Sequence, residues 1–346
     1  MKDAECLLHA IKLASRGLGH TRPNPAVGAV IVKNDEIIGE GWHKKAGSDH
    51  AEVAAIKNTL KKASKLSQEE QGKLFKGSTI YVTLEPCSKV GRVGACTDAI
   101  ASVGISRVVY AIADPNPKNR GRAKRILAKR GIKCEQFKGD KEVIVQCENL
   151  IKAFRKHVLT GLPYVTVKLA MSLDGKICDN KGDSNWISSN VSRDYTNRFR
   201  ERVDVIMVGA ETVRKDNPSL LARRKSNKDL VRVIISKSGK LPKNAQVFTD
   251  NKNLTLIFND AKKALVELGK MGFMSVLCEG GLNLARCLAE ENLVDEWLTI
   301  TAPVVIGNRP ISNAIRGVTS SNDSFLLEGD SFINVALSKF SKSIVS

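Results

Sequence analysis

Apolar residues recur along the chain in two patterns, one with helical periodicity and one with strand periodicity. The first segment predicts an amphipathic helix, because apolar residues recur at helical spacing at Ala4, Leu7, Leu8, Ile11 and Ala14. Later segments with helical periodicity include residues 52–60 and 122–130. Short apolar runs predict strands at residues 27–32, 79–84, 107–112, 164–169, 205–208, 231–235, 254–258 and 274–278. This alternation indicates a three-layer α/β architecture.

The length of the chain, 346 residues, is typical of two domains rather than one. A helical stretch ends in Thr160-Gly161-Leu162-Pro163, and a predicted strand follows directly. We therefore predict an N-terminal domain over residues 1–147, a connecting helix or linker over 148–162, and a C-terminal domain over 163–346. The tail predicts one final strand at 332–337.

Composition and charge narrow the class of protein. No apolar run approaches the roughly 20 residues that a bilayer requires, and Asp3, Glu5, His9 and Lys12 interrupt any signal-like core. We expect a cytoplasmic protein with no membrane partner. The formal net charge of +19 favours polyanions, but the basic residues are spread along the chain and aromatic residues are only 5%. We therefore expect phosphorylated small molecules, rather than nucleic acid, as partners.

The eight cysteines do not resemble a disulfide framework, which belongs mostly to short secreted chains. Six of them are scattered in mostly apolar surroundings and are interpreted as buried small hydrophobes: Cys6, Cys134, Cys147, Cys178, Cys278 and Cys287. The other two, Cys87 and Cys96, follow a strand-like run, and Cys87 is preceded by a proline.

A histidine and the two remaining cysteines predict a zinc site. His50-Ala51-Glu52 opens a helical stretch, where side chains two residues apart converge on a point beyond the helix end. His50, Cys87 and Cys96 as ligands would leave one position of a tetrahedral zinc for an activated water, as in catalytic sites. Glu52 would then carry the water's proton to a departing amine. Pro86 is expected in the first turn of a helix. The alternative is a metal-free helix start beside two buried cysteines.

The spacing of the two cysteines indicates which branch of the zinc deaminases the N-terminal half resembles. Zinc deaminases that act on cytidine or on nucleic acids have two residues between the cysteines, whereas eight intervene here.

In the C-terminal half, a strand, a Gly280-Gly281 turn and a helix from residue 283 would cradle a phosphate on backbone N–H groups. No G-x-G-x-x-G motif follows a strand, which disfavours a Rossmann domain.

Nine motifs together resemble those of the bifunctional riboflavin-biosynthesis deaminase–reductase family over roughly residues 1–310. In the N-terminal half they are residues 21–32 (TRPNPAVGAVIV), 50–52 (HAE), 83–88 (TLEPCS) and 114–117 (DPNP). In the C-terminal half they are residues 168–175 (KLAMSLDG), 182–188 (GDSNWIS), 209–213 (GAETV), 216–218 (DNP) and 279–281 (EGG). The resemblance implies a three-layer cytidine-deaminase-like domain followed by a dihydrofolate-reductase-like α/β domain.

The resemblance also implies a chemistry in two steps. A zinc-dependent domain would remove the 2-amino group of a diaminopyrimidinone ribosylamine 5′-phosphate, with one zinc per chain. An NADPH-dependent domain would then transfer hydride to C1′ of the opened ribose and give the ribityl chain. We also expect a homo-oligomer.

The resemblance assigns site residues to both halves. It makes His50, Cys87 and Cys96 the zinc ligands and Glu52 the proton shuttle, with Asn24 and His43 lining the pyrimidine pocket. The implied NADPH contacts are Ala170, Trp186, Thr212, Asp216 and Gly281. The implied substrate contacts in the reductase half are Ser184, Arg200, Leu220, Arg223 and Glu279, where the guanidinium groups suit a phosphate. From the residues alone, a loop histidine explains His43 equally well, a surface charge is an alternative for either arginine, and core packing is one for Trp186.

Several positions depart from the family pattern. Lys89 stands where the family usually has histidine, and residues 92–95 lack the usual prolines before the second cysteine. Residues 119–123 and the Ser236-Lys237 pair also differ. Two other hypotheses therefore stay open: a deaminase whose C-terminal domain only binds ligand or holds an oligomer together, and a basic RNA-binding module.

Overall fold

The chain forms two compact units, Met1–Thr160 and Gly161–Ser346. The computed structural model describes residues 2–88, 94–178, 188–222 and 230–306, together with strands at 320–327 and 331–338. A 20-residue helix, Lys141–Thr160, closes the first unit, and most of the predicted linker at 148–162 is its C-terminal part. Gly161 follows this helix with φ of 73°, the left-handed conformation that favours glycine after a helix.

The N-terminal unit is a mixed five-stranded sheet covered by helices on both faces. In chain order its elements are α1 Asp3–Ser15, β1 Gly28–Lys33, β2 Glu36–Trp42, α2 Ala51–Lys62, α3 Gln68–Leu74, β3 Thr79–Leu84, α4 Cys96–Ser102, β4 Arg107–Ile112, α5 Arg122–Ala128, β5 Lys133–Gln136 and α6 Lys141–Thr160. The strand order is β2-β1-β3-β4-β5, in which β1 pairs antiparallel with both neighbours and β3, β4 and β5 are parallel.

Alternate residues of the central strands serve the two layers of helices. Val30 and Tyr81 face the core shared with α1 and α6, whereas Ala29, Ile31 and Val82 face the core shared with α2, α4 and α5. Strands buried on both faces explain why the sequence shows continuous apolar runs here rather than alternation. The predicted three-layer architecture is confirmed for this unit.

The strand β2 was not predicted, because its Gly39 and Gly41 interrupt the apolar pattern. Both glycines are required by the close approach of α2. A Cβ atom at Gly39 would lie 2.0 Å from Thr59 Oγ1, and one at Gly41 would lie 2.3 Å from the Ala55 nitrogen. Glycine in a strand thus marks the place where a helix packs on the backbone.

The C-terminal unit is an eight-stranded sheet, also in three layers. Its elements are β6 Tyr164–Ser172, α7 Asn190–Arg200, β7 Val205–Gly209, α8 Ala210–Asp216, β8 Val231–Ile235, α9 Gln246–Thr249, β9 Thr255–Phe258, α10 Ala261–Lys270, β10 Ser275–Cys278, α11 Leu282–Glu290, β11 Glu296–Ala302, β12 Ser320–Leu327 and β13 Ser331–Ser338. The order is β12-β13-β11-β6-β10-β7-β8-β9, parallel from β11 to β9, with β13 antiparallel to β11 and to β12.

Local sequence explains where the helices of this unit begin, and packing explains their faces. Asp260 precedes α10 and accepts a hydrogen bond from the Lys263 nitrogen at 2.8 Å, which caps the first turn. Helices α10 and α11 pack on one face of the sheet, and α7, α8 and α9 contribute to the cores on the other face. The predicted α/β fold class is confirmed. Among the described residues, no helix combines the length and apolar character that crossing a bilayer requires.

Candidate functional site

The three predicted zinc ligands lie together in the N-terminal unit. His50 Nδ1 is 3.3 Å from Cys96 Sγ and 3.5 Å from Cys87 Sγ, and the two sulfur atoms are 3.3 Å apart. Both cysteines are free rather than disulfide-bonded. One imidazole nitrogen and two sulfurs at such distances can share one ion, and this soft donor set suits zinc. The residues therefore fit the metal that the sequence predicts.

The fold brings these ligands from three loops to the carboxyl end of the parallel strands. His50 is the residue before α2, Cys87 follows β3, and Cys96 begins α4. The Cys87 carbonyl accepts a hydrogen bond from the Thr97 nitrogen at 3.2 Å, and its Sγ accepts one from the Cys96 nitrogen at 3.3 Å. The expectation that Pro86 lies in the first turn of a helix is wrong, because residues 85–88 are not helical. The helix in this region begins at Cys96 instead.

The two sulfurs differ in acidity before any metal binds. The hydrogen bond from Cys96 lowers the pKa of Cys87 to about 4, and the nearby His50 adds to this effect. The contact between the two sulfurs and burial both raise the pKa of Cys96. A bound cation would favour the thiolate form of both sulfurs, which is the form that binds metal.

Glu52 lies in the first turn of α2 and is almost completely buried. Burial raises the pKa of its carboxyl group to about 7 in the metal-free protein, and the negative charge of Cys87 contributes in the same direction. Glu52 lines the same cavity as His50 and Cys87, which has a volume of about 240 Å³. The carboxyl group thus lies beside the metal-ligating atoms and can exchange a proton there.

The predicted pocket residues Asn24 and His43 line this cavity too, and they contact each other. Asn24 Nδ2 donates to His43 Nε2 at 3.1 Å, and His43 Nδ1 donates to the Asp49 carbonyl at 2.9 Å. Burial lowers the pKa of His43, which matches a neutral ring with this tautomer. The ring of His43 also packs edge-on against that of His50, with 5.2 Å between centroids. His43 is therefore a buried residue of the cavity and not an exposed loop histidine.

Three polar residues of the cavity, Glu85, Asp114 and Asn116, were not assigned a role from the sequence. Asp114 and Asn116 follow β4, and both line the cavity. Burial raises the pKa of Asp114, although two hydrogen bonds to its carboxylate oppose that rise. The sequence feature that could have identified Asp114 and Asn116 is the Asp-Pro-Asn-Pro motif, which follows a strand parallel to β3. Carboxyl ends of neighbouring parallel strands meet at one edge of a sheet, where ligands bind.

In the C-terminal unit, two of the predicted substrate residues form a buried ion pair. Arg200, the last residue of α7, donates from Nε to Glu279 Oε1 at 2.6 Å and from Nη2 to Oε2 at 3.0 Å. Burial acts to raise the pKa of Glu279, but the charge and hydrogen bonds of Arg200 outweigh it and the pKa is lowered. This bidentate geometry fixes both side chains at the carboxyl end of β10.

A lysine that the sequence analysis left unassigned belongs to the same cluster. Lys168 lies on β6, and its charge interacts with those of Glu279 and Arg200. Burial lowers the pKa of its ammonium group, while Glu279 acts in the opposite direction. The sequence feature that could have identified Lys168 is its position as the single cation within the apolar run of residues 164–169.

Two glycine turns lie beside this cluster, at the ends of β7 and β10. A Cβ atom at Gly280 would lie 3.4 Å from the Gly209 nitrogen, so the turns are neighbours. Gly209 and Gly281 have ordinary negative φ angles, and among the described residues a Cβ at either would meet no atom within 4 Å. Neither backbone strain nor packing therefore requires these glycines, and the open space suits close approach of a bound phosphate group.

The remaining predicted contacts are distributed around these turns. Thr212 lies in α8 and Asp216 ends it, while Ala170 lies on β6 beside Ile300 of β11. Leu220 is buried with φ of 50°, in a segment whose Leu221 carbonyl accepts from Arg200 Nη1 at 3.1 Å. Trp186, Ser184 and Arg223 lie outside the described residues, as does the unusual Lys89.

Comparison with known families covers most of the chain in two parts. Residues 1–112 match the cytidine and deoxycytidylate deaminase zinc-binding region. Residues 163–327 match the RibD C-terminal domain.

Individual relatives match nearly end to end. The riboflavin biosynthesis protein RibD of Bacillus amyloliquefaciens is 38% identical over 89% of this chain and 86% of its own length. RibD of Escherichia coli is 34% identical over 89% of each chain. A solved deaminase/reductase structure from Thermotoga maritima is 30% identical, covers 97% of this chain and 98% of its own, and superposes with a TM-score of 0.83. Acinetobacter baumannii RibD gives 31% identity and a TM-score of 0.81, over 97% and 99%. The chain therefore belongs to the RibD family of bifunctional riboflavin-biosynthesis deaminase–reductases.

Proposed function

We propose that the N-terminal unit hydrolyses the 2-amino group of 2,5-diamino-6-(5-phosphoribosylamino)pyrimidin-4(3H)-one, and that the C-terminal unit reduces the ribosyl chain of the product with NADPH. The observation that supports the first step is the meeting of His50, Cys87 and Cys96 in one cavity with the buried Glu52. The solved Thermotoga relative, named as a diaminohydroxyphosphoribosylaminopyrimidine deaminase and 5-amino-6-(5-phosphoribosylamino)uracil reductase, supports the substrate assignment.

In the deaminase step, zinc held by His50, Cys87 and Cys96 would supply Lewis-acid activation of a water molecule. Glu52 takes a proton from the attacking water and delivers it to the departing amine, so that ammonia leaves as the new carbonyl forms. Asn24 and neutral His43 lie on the cavity wall, where they orient the pyrimidine ring. Asp114 and Asn116 complete the polar wall at the carboxyl end of β4.

In the reductase step, NADPH would supply the hydride that adds to C1′ of the opened ribose. The open turns at Gly209 and Gly281 leave room for its phosphates, with Ala170, Trp186, Thr212 and Asp216 as further contacts. Arg200 and Glu279 would hold the substrate, together with Ser184, Leu220 and Arg223. Lys168, whose charge interacts with that of Glu279, would hold a proton for the reduction. Assembly as a homo-oligomer and a cytoplasmic location stay predictions from the sequence.

The decisive experiment separates the two steps within one chain. Glu52→Gln should slow ammonia release by about 10²- to 10⁴-fold, because the proton carrier is lost. Its zinc content and its NADPH oxidation on authentic deaminated intermediate should equal those of wild type. Glu36→Gln, an exposed carboxylate at the start of β2, is the matched control and should leave both rates unchanged.

Two results would contradict the proposal. Ammonia release by Glu52→Gln at the wild-type rate would refute the role of the carboxylate. Failure of the wild-type protein to oxidise NADPH with the deaminated intermediate would favour the alternative, a C-terminal domain that only binds ligand or holds an oligomer together. That alternative is not favoured by the match of residues 163–327 to the RibD C-terminal domain.

A further inference from the structure

We propose that Asn119 is a positioning residue of the deaminase site, which couples the loop of the metal ligand Cys87 to the carboxylate of Asp114. The proposal rests on the deaminase function given above. Asn119 lies in the segment between β4 and α5, outside the catalytic cavity, and its side chain is 6% exposed. Its part in the site is therefore indirect and must act through the residues that it contacts.

The side-chain amide of Asn119 forms hydrogen bonds to two neighbouring segments. Its Oδ1 accepts from the Ser88 nitrogen at 2.9 Å and from Ser88 Oγ at 2.8 Å. Its Nδ2 donates to Asp114 Oδ2 at 2.9 Å. The backbone N–H of Ser88 can only donate, which assigns the oxygen of the amide without ambiguity. A side chain with both an acceptor and a donor is required to satisfy both partners.

Both partners adjoin the proposed chemistry. Ser88 is the residue directly after the ligand Cys87, and Asp114 lines the cavity. The carboxylate of Asp114 accepts one further hydrogen bond, from the Asn116 nitrogen to Oδ1 at 2.8 Å. Asn119 therefore restrains one metal-ligand loop and one wall of the cavity through a single side chain.

Glu85 anchors the segment between β4 and α5, which carries Asn119. Glu85, which is 3% exposed, accepts from the nitrogens of Asp114 at 3.2 Å, Gly121 at 3.0 Å and Ala123 at 3.2 Å. These three bonds tie both ends of the segment to the end of β3. Gly121 has φ of 75°, the left-handed conformation that returns the chain toward Glu85.

Hydrogen bonds to three neighbouring residues hold Cys87 and Ser88 in place. The Cys87 carbonyl accepts from the Thr97 nitrogen, its Sγ accepts from the Cys96 nitrogen, and Ser88 donates to Asn119. Removing the Asn119 bonds should leave Cys87 less well oriented for a metal and the carboxylate of Asp114 held by one hydrogen bond fewer.

The test uses full-length, zinc-loaded protein with two substitutions of nearly unchanged volume. Asn119→Leu removes both hydrogen-bonding functions, whereas Asn119→Asp keeps an acceptor for Ser88 but loses the donor to Asp114. Asn58→Leu is the matched control, because Asn58 is a part-buried amide of the same unit that accepts from the Glu40 nitrogen, away from this segment. Each protein is assayed for the deaminase KM and kcat, and for zinc release to a chelator. Hydrogen exchange of peptides from β1, β3 and β4 checks that the N-terminal unit is folded.

For Asn119→Leu we expect zinc release about 10-fold faster and a deaminase KM about 10-fold higher, with kcat within about 3-fold of wild type, as for other supports of metal ligands. Asn119→Asp should raise the KM but release zinc at close to the wild-type rate. Asn58→Leu should change neither the rate of zinc release nor the KM. If the role of Asn119 were only structural, a folded Asn119→Leu protein would likewise leave both quantities unchanged.

Wild-type KM and zinc release in a folded Asn119→Leu protein would overturn the proposal. If that variant fails to fold, Asn119→Asp decides, since a wild-type KM there contradicts the link to Asp114. Zinc release is measured without substrate. A wild-type chain that releases no ammonia would therefore refute the proposed function, while the effect of Asn119 on zinc release would still be observed.

Discussion

The two units place their candidate sites at the same kind of position but hold them together with different chemistry. In the N-terminal unit, two sulfurs and an imidazole converge beside a buried carboxyl group at the ends of β3 and β4. In the C-terminal unit, the ends of β7 and β10 carry open glycine turns and the ion pair of Arg200 with Glu279. One site is organised by donors for a metal, and the other by charge pairing and by space left for a ligand.

This difference determines how each site responds to substitution. The activity of a metal site depends on the orientation of the ligands that bind the ion. Hydrogen bonds such as those of Asn119 maintain that orientation. A site based on a buried ion pair depends on charges that were removed from water and must stay paired. We therefore expect the C-terminal unit to lose stability as well as activity when one of its buried, ion-paired arginines is changed. Three experiments test this contrast.

The largest effect is expected at Arg232, on β8, which is 1% exposed. It pairs with Asp250 at 2.6 Å and donates to the carbonyls of Ser219 and Asn253. Arg232→Met should reduce the free energy of unfolding of the C-terminal unit by about 3–5 kcal/mol, because it leaves buried acceptors and a carboxylate without their cation. Hydrogen exchange of peptides from β7, β8 and β10 during urea unfolding measures this change.

The control for Arg232 is an arginine that also forms an ion pair but is exposed. Arg286 on α11 pairs with Glu290 four residues later, and both side chains are more than half exposed. Arg286→Met should leave the free energy of unfolding close to that of wild type. Equal losses of stability in the two variants would remove the distinction between buried and exposed pairs on which the comparison depends.

A second, smaller effect is expected at Arg200. Arg200→Lys keeps the positive charge but cannot reproduce the bidentate bonds to Glu279 and the third bond to the Leu221 carbonyl. The reductase kcat/KM should fall by about 10- to 100-fold, and ammonia release should be unaffected. Arg198→Lys, an exposed position on the same helix, should leave the reductase unchanged. Reductase activity unaltered in Arg200→Lys would show that the pair plays no part in the reaction.

The smallest effect is expected in the N-terminal unit, at the partly exposed pair of Asp3 and Arg107. Hydrogen bonds from Arg107 hold the pKa of Asp3 below its ordinary value of 3.8. A carboxyl group with a lowered pKa stabilises the fold above its ordinary pKa, and this contribution is lost as pH falls through the lowered value. At neutral pH, Asp3→Asn should therefore cost less than about 1 kcal/mol.

The pH dependence of this pair gives the check. Hydrogen exchange of the α1 peptide should distinguish Asp3→Asn from wild type at neutral pH, and the difference should shrink as the pH falls through the lowered pKa of Asp3. High salt should also reduce it. A difference that grows as pH falls would contradict the assigned sign.

Much of the fold could be predicted because central parallel strands are buried on both faces. Each of the eight strands predicted from apolar runs lies within or overlaps an observed strand, and β13 matches the predicted tail strand at 332–337. The strands β2, β5, β11 and β12 were missed. Glycines that accommodate α2 interrupt β2, and β5 has only four residues, of which Cys134 alone is buried. Such edge strands depend on their neighbours more than on their own pattern.

The sequence by itself determined which atoms are available for chemistry. The ligands His50, Cys87 and Cys96, the carboxyl group of Glu52 and the Gly280-Gly281 turn are local features, each recognisable within a few residues of chain. Only the tertiary structure decided which distant groups pair: Arg200 with Glu279, 79 residues later, and Asn119 with Ser88, 31 residues earlier. The physical reason is that a polar group which packing removes from water requires a partner, and packing depends on the whole fold.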